Sequence, residues 1–116
     1  MKITTTRDRE DDVTIVELDG KLTIGEGDVQ LREEIKGLLD EGTRKILINL
    51  QKVKMMDSSG LGELVRVRAS ALSAGATVKL LHVEDKVQEV LEMTRLIGVF
   101  ETFDDPIDAV ASFRKS

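Results

Sequence analysis

Short apolar runs alternate with longer segments of helical periodicity along this chain. Runs rich in Val, Ile, Leu and Thr that end at turn residues predict strands. Such runs stand at residues 2–6, 13–18, 45–50, 77–83 and 100–103. In the run at 45–50, Ile46, Leu47 and Ile48 are apolar at consecutive positions, which predicts a central strand covered by helices on both faces.

Four further segments repeat their apolar residues with helical spacing. Their predicted limits are Asp28 to Gly42, Gly60 to Gly75, Glu84-Asp85 onward and Asp105-Pro106 onward. The apolar positions predicted to face the core are Leu31, Ile35, Leu38, Leu39, Leu61, Leu64, Val65, Leu72, Val87, Val90, Leu91, Ile107, Val110 and Phe113. This order predicts an α/β fold in a single domain over residues 1–116, with a mixed sheet of four to five strands and about four helices packed against it.

Composition then narrows the classes of function. The chain has 116 residues, of which 41% are hydrophobic and 34% charged, as expected of a soluble globular domain. A net charge of −5, scattered basic residues and only three aromatic residues, all near the C-terminus, argue against nucleic-acid binding. The chain has no cysteine and one histidine, His82, so neither a metal site nor a cofactor site is predicted. Since no apolar run approaches the ~20 residues of a membrane span and the N-terminus lacks a signal peptide, we expect no membrane association and a cytoplasmic location.

The segment from Met55 to Gly62 carries the most chemical information, because it joins the central strand to a helix, where ligands gather in α/β sheets. Ser58 and Ser59 are good helix N-caps beside unpaired N–H groups, and Gly60 and Gly62 allow another backbone or a phosphate to approach closely. This pattern suits an anion site, and it equally suits a plain cap in a tight turn.

Catalysis by these serines is disfavoured. The G-x-S-x-G elbow of serine hydrolases is absent, and the one candidate base, His82, falls on a predicted strand. A phosphate-binding loop is also excluded because no lysine follows the glycines. We therefore predict no catalytic residues, and an enzyme acting on a small molecule is an improbable alternative.

The hexapeptide Asp57-Ser58-Ser59-Gly60-Leu61-Gly62, following the strand at 46–50, resembles the signature of the STAS domains of bacterial anti-sigma factor antagonists. The resemblance extends to residues 13–22, 75–81 and 90–97, so that essentially the whole chain is covered at family length. It implies the STAS fold, in agreement with the order of predicted elements.

The resemblance also implies a mechanism. In this family the serine after the aspartate, here Ser58, accepts phosphate from an anti-sigma factor that is also a serine kinase and that supplies ATP and Mg²⁺. The unphosphorylated antagonist binds this partner and frees a sigma factor, and a metal-dependent phosphatase resets the switch. The positions expected to contact the partner are Asp57, Ser59, Gly60, Leu61, Gly62 and Thr23.

One position departs from the family pattern: Thr23 stands where better-known antagonists usually carry aspartate. A scaffold or accessory subunit of a signalling or transport assembly, in which Ser58 is not turned over, is the alternative function. Near the signature, at least one of Met55 and Met56 is expected in the core. Arg66 and Arg68 are expected to be solvated charges on a helix face.

Overall fold

The computed structural model describes residues 1–115, and these form one five-stranded sheet with helices on both faces. The strands are β1 (Lys2–Asp8), β2 (Val13–Leu22), β3 (Lys45–Met56), β4 (Thr77–Leu81) and β5 (Thr102–Phe103). Their spatial order is the same as their order in the chain. β1 pairs antiparallel with β2, and all other neighbours are parallel. The predicted mixed sheet is thereby confirmed.

Four α-helices connect or follow the strands. They are α1 (Asp28–Asp40), α2 (Ser58–Ser73), α3 (Asp85–Met93) and α4 (Pro106–Ser112), with short 3₁₀ turns at Ile97–Val99 and Phe113–Lys115. α4 begins as predicted, because the carboxylate of Asp105 accepts a hydrogen bond from the N–H of Ile107 while Pro106 occupies the first turn.

The core lies on the two faces of the sheet, and β3 contributes to both. Ile46 and Ile48 pack with residues of α1, α2 and α3 in the larger cluster. Leu47 points to the opposite face, where it packs with Ala109 and Phe113 of the C-terminal segment. The alternation of side chains along a strand therefore explains why three consecutive apolar residues are needed here.

Four strands end elsewhere than predicted: β1 continues to Asp8 instead of residue 6 and β2 to Leu22 instead of residue 18, and β3 and β4 also differ. β3 continues to Met56 instead of ending at residue 50, because its polar second half stays paired with β2 through Met55 and Met56. β4 ends at Leu81 instead of residue 83, because His82 adopts a left-handed backbone conformation with φ of 57°. A left-handed residue cannot continue a strand.

Two predicted core residues and one predicted cap are wrong. Leu72 is 54% exposed and Ile107 is 77% exposed, because Ala71 and Ala109 take the inward positions beside them. The N-cap of α1 is Gly27 and not Asp28, whose carboxylate accepts hydrogen bonds from the N–H groups of Gly25 and Val29.

Candidate functional site

The signature segment lies where β2 and β3 project beyond the rest of the sheet. β3 pairs with β4 only as far as Asn49, whereas its pairing with β2 continues until Leu22 lies beside Met56. Helix α2 starts one residue after the turn at Asp57. The site is thus at the carboxyl end of two parallel strands, as the sequence predicts.

Asp57 is the N-cap of α2, and its two carboxylate oxygens hold different parts of the chain. Oδ1 accepts a hydrogen bond from the N–H of Gly60 at 2.9 Å, and Oδ2 accepts one from the N–H of Ile24 at 3.0 Å. The hydrogen bond from Ile24, followed by the one from Gly60, lowers the pKa of Asp57 below its ordinary value. Asp57 is therefore ionised at neutral pH and ties the loop after β2 to the start of α2.

This arrangement corrects the expectation that Ser58 or Ser59 caps the helix. Both serines are inside the first turn of α2, with Ser58 exposed and Ser59 half-buried. Among residues 1–115, neither hydroxyl has a hydrogen-bond partner. Because Asp57 caps the helix, the Ser58 hydroxyl is accessible at the positive end of a 16-residue helix dipole.

The two glycines of the signature have different surroundings. A Cβ atom built on Gly60 would lie 1.9 Å from the backbone oxygen of Leu22, so Gly60 allows α2 to pack against the end of β2. A Cβ atom on Gly62 would meet no atom within 4 Å among the described residues, and Gly62 is exposed. The fold thus requires a glycine at 60 but not at 62.

The apolar residues of the segment divide between core and surface. Leu61 is only 5% exposed and packs in the larger core cluster, so it and Gly60 support the site from beneath and offer almost no surface to a partner. Met56 is buried, which agrees with the expectation for one of the methionines, whereas Met55 is 45% exposed. Ile24, whose N–H bonds to Asp57, is 72% exposed.

Thr23 belongs to the loop that Asp57 holds. Its carbonyl oxygen accepts hydrogen bonds from the N–H groups of Glu26 and Gly27, at 3.0 and 3.3 Å, which closes a turn. The side chain of Thr23 is half-buried. The structure therefore brings Thr23 beside the signature, and its contact with a partner stays a prediction.

The sequence analysis missed a buried carboxylate one turn further along α2. Glu63 is 1% exposed, and its Oε1 accepts hydrogen bonds from Nε and Nη2 of Arg32 on α1, at 3.0 and 2.7 Å. Arg66 donates to the same oxygen at 3.1 Å, so it is an ion-pair partner and not only a solvated charge. Arg68 lies over the ring of Phe100 at 6.0 Å. The position of Glu63 between Leu61 and Leu64, on the buried stripe of α2, was the available signal.

His82, the one candidate general base, does not lie near Ser58. The last pair between β3 and β4 joins Asn49 to Leu81, and Asn49 precedes Met56 by seven residues of strand. His82, which follows Leu81, therefore lies roughly 20 Å from the site. Over residues 1–115, no group of three or more His, Cys, Asp or Glu side chains could hold a metal ion. None of the described helices is long and apolar enough to cross a bilayer.

The fold and the segment around Ser58 can now be compared with known protein families. The family model for the STAS domain matches residues 5–109, and the chain therefore belongs to the STAS domain family.

Comparisons with individual proteins agree with this assignment. A protein of Thermotoga maritima named as an anti-sigma factor antagonist is 29% identical over 105 residues, which are 90% of this chain and 93% of that protein. A crystal structure of a Thermotoga maritima protein with the same description superposes with a TM-score of 0.86 at 26% identity, over 97% of this chain and 94% of the other. The Bacillus protein SpoIIAA in its phosphorylated form gives a TM-score of 0.72 at 20% identity, over 96% and 98%, and shows a shared fold.

Proposed function

We propose that this protein is an anti-sigma factor antagonist that binds an anti-sigma factor when Ser58 is unmodified and releases it when Ser58 is phosphorylated. The observation that carries the proposal is the accessible Ser58 hydroxyl beside a cap that Asp57 already occupies. The names of the Thermotoga relatives support the class of partner. Since the partner we propose is an ATP-dependent kinase, we place the protein in the cytoplasm.

The partner surface that we propose surrounds Ser58. Ile24, in the loop after β2, and Met55, near the end of β3, supply exposed apolar area, and Gly62 leaves open space one turn along α2. Ionised Asp57 positions the loop that carries Thr23 and Ile24. Protein interfaces combine apolar and polar area, and Ile24 and Met55 supply apolar area beside the polar signature. A partner backbone that comes close to α2 at Gly62 explains a glycine that the fold does not need.

The chemistry of the switch belongs mainly to the partners. In the forward step the Ser58 Oγ attacks the γ-phosphorus of ATP held with Mg²⁺ on the kinase, ADP leaves, and the serine proton is released. In the reverse step a metal-dependent phosphatase directs water at the phosphorus, which restores the hydroxyl and releases inorganic phosphate. This chain contributes an accessible nucleophile and no catalytic group.

Electrostatics explain how one phosphate would switch binding. Phosphoserine carries about −1.5 to −2 charges at neutral pH, and ionised Asp57 adjoins it, so that the turn carries roughly three negative charges. The N-terminus of α2 tolerates this charge within the domain. A partner surface must instead desolvate or repel it, which costs several kcal/mol, enough to change affinity by orders of magnitude.

Affinity for the anti-sigma factor kinase tests the proposal. Unmodified protein and Ser58→Ala should bind alike, the phosphorylated protein should bind orders of magnitude more weakly, and Ser58→Asp should fall between them because it carries one charge. Gly62→Leu should weaken binding while the melting temperature stays near that of the wild type. Equal affinity of the phosphorylated and unmodified proteins would refute the switch and would favour a scaffold or accessory role.

A further inference from the structure

β1 is an edge strand of the sheet, and five of its seven residues are exposed. β1 (Lys2–Asp8) pairs with β2 at all seven of its residues without a register shift, and among residues 1–115 no strand lies on its other side. Thr4, Thr5 and Thr6 at its centre are exposed. The strand contains neither a proline nor a bulge, two devices that keep sheet edges from pairing, and threonine favours extended structure.

The two end charges of this strand, Lys2 and Asp8, complement those of an antiparallel copy of itself, while its third charge, Arg7, pairs with Asp12 within the chain. A two-fold axis at Thr5 places Lys2 opposite Asp8 of the second copy and Thr4 opposite its Thr6. An axis at Thr4 would place Lys2 opposite Thr6, and an axis at Thr6 would place Asp8 opposite Thr4, so neither of these registers pairs the two opposite charges. Only the register centred on Thr5 therefore forms two ion pairs.

The same register also fits the charges already present on the sheet. Lys2 and Asp8 are an even number of residues apart, so their side chains lie on one face. On that face Asp19 of β2 lies directly opposite Lys2 within the chain. In the paired form Lys2 would lie between Asp19 of its own chain and Asp8 of the second copy, so that negative, positive and negative charges alternate across the strands. Opposite charges directly across neighbouring strands are stabilising.

We propose that two copies of this protein associate through β1, antiparallel and centred on Thr5, so that their sheets become continuous. Ser58 follows β3, which lies two strands inward from β1, so each copy keeps its phosphoacceptor exposed. The dimer would therefore offer two independent sites to the partners. This inference does not depend on the proposed function.

Sedimentation velocity over a range of protein concentration tests the proposal, and the wild type should pass from monomer to dimer. Lys2→Glu and Asp8→Lys each replace two attractive pairs by two repulsive ones, and each should weaken the dimer by about tenfold or more. The double variant Lys2→Glu/Asp8→Lys should recover the wild-type dissociation constant to within about threefold. Lys86→Glu, which makes the same charge change on α3, is the matched control and should have no effect.

Thr5→Lys gives a second test that does not depend on the two end charges. At the two-fold axis the new ammonium group would lie opposite the same group of the second copy, and the two would repel each other. Because position 5 is exposed, the variant should give a folded monomer at every concentration. Thermal melts followed by circular dichroism establish that each variant is folded. A wild type that stays monomeric at its highest soluble concentration would overturn the proposal. A dimer that Thr5→Lys leaves intact, or that the double variant does not restore, would also overturn it.

Discussion

Alanine at the two signature glycines should have opposite effects on stability, although the positions are two residues apart in one helix. At Gly60 a new Cβ would lie 1.9 Å from the backbone oxygen of Leu22 and 2.8 Å from its carbonyl carbon. At Gly62 a new Cβ would meet nothing within 4 Å in the part of the chain that the structure describes. The substitution is chemically identical at both sites, so each variant controls for the other.

The magnitudes follow from these distances. An ordinary contact is about 3.4 Å or longer, so Gly60→Ala requires α2 and the end of β2 to separate by about 1.5 Å. The obstacle is backbone, which the Asp57 hydrogen bonds to Ile24 and Gly60 hold in place, and we expect the overpacking to cost about 3 kcal/mol. Gly62→Ala should instead stabilise by up to about 1 kcal/mol, the difference in helix propensity.

Urea unfolding at neutral pH, followed by circular dichroism, measures both variants against the wild type. The account predicts free energies of unfolding that differ by about 4 kcal/mol between the two alanine variants, the sum of the two effects above. Such a gap is a large part of the 5–15 kcal/mol that typically stabilises a domain. Equal stabilities, or a Gly60→Ala protein as stable as the wild type, would show that the packing of α2 against Leu22 is described wrongly.

Three further predictions concern the surroundings of Ser58. Asp57→Asn should keep a cap but lose the acceptor for Ile24, at a cost of about 1–2 kcal/mol near pH 7. The hydrogen bonds from Ile24 and Gly60 depress the folded-state pKa of Asp57. Its contribution to stability is therefore complete above the unfolded pKa of about 3.9 and is lost as pH falls through the folded pKa, so the urea curves of variant and wild type should converge in acid. Glu63→Gln should destabilise by about 2 kcal/mol in thermal melts by weakening its pairing with Arg32, and an unchanged melting temperature would contradict a structural role. Calorimetry of the purified protein with Mg·ATP should give no binding signal, and micromolar binding would contradict the assignment of the nucleotide to the kinase.

The sequence alone was sufficient for the order of elements, because the strongest signals are local. Ile46, Leu47 and Ile48 required cover on both faces of β3, and the structure supplies it from two separate core clusters. Asp105 and Pro106 begin α4 as predicted. These features depend on residues close together in the chain.

The errors arose where distant parts of the chain meet. β3 continues through its polar residues to Met56 because β2 lies beside it, and no periodicity within the segment shows this. Asp57, and not a serine, caps α2, and the N–H of Ile24, 33 residues away in the chain, donates to its second carboxylate oxygen. The strand pattern at 77–81 likewise does not show that Lys79 is buried: it is 2% exposed, its Nζ donates to Ser112, and the ring of Phe113 lies 4.6 Å away.

The central claim is that Ser58, which is accessible and does not cap α2, accepts the phosphate. Phosphopeptide mapping after incubation with the anti-sigma factor kinase and labelled ATP tests this claim. The wild type and Ser59→Ala should incorporate phosphate at residue 58 to the same extent, and Ser59→Ala should melt near the wild-type temperature because Asp57 caps α2. Ser58→Ala should incorporate none. Phosphate on Ser59, or undiminished incorporation in Ser58→Ala, would contradict the account.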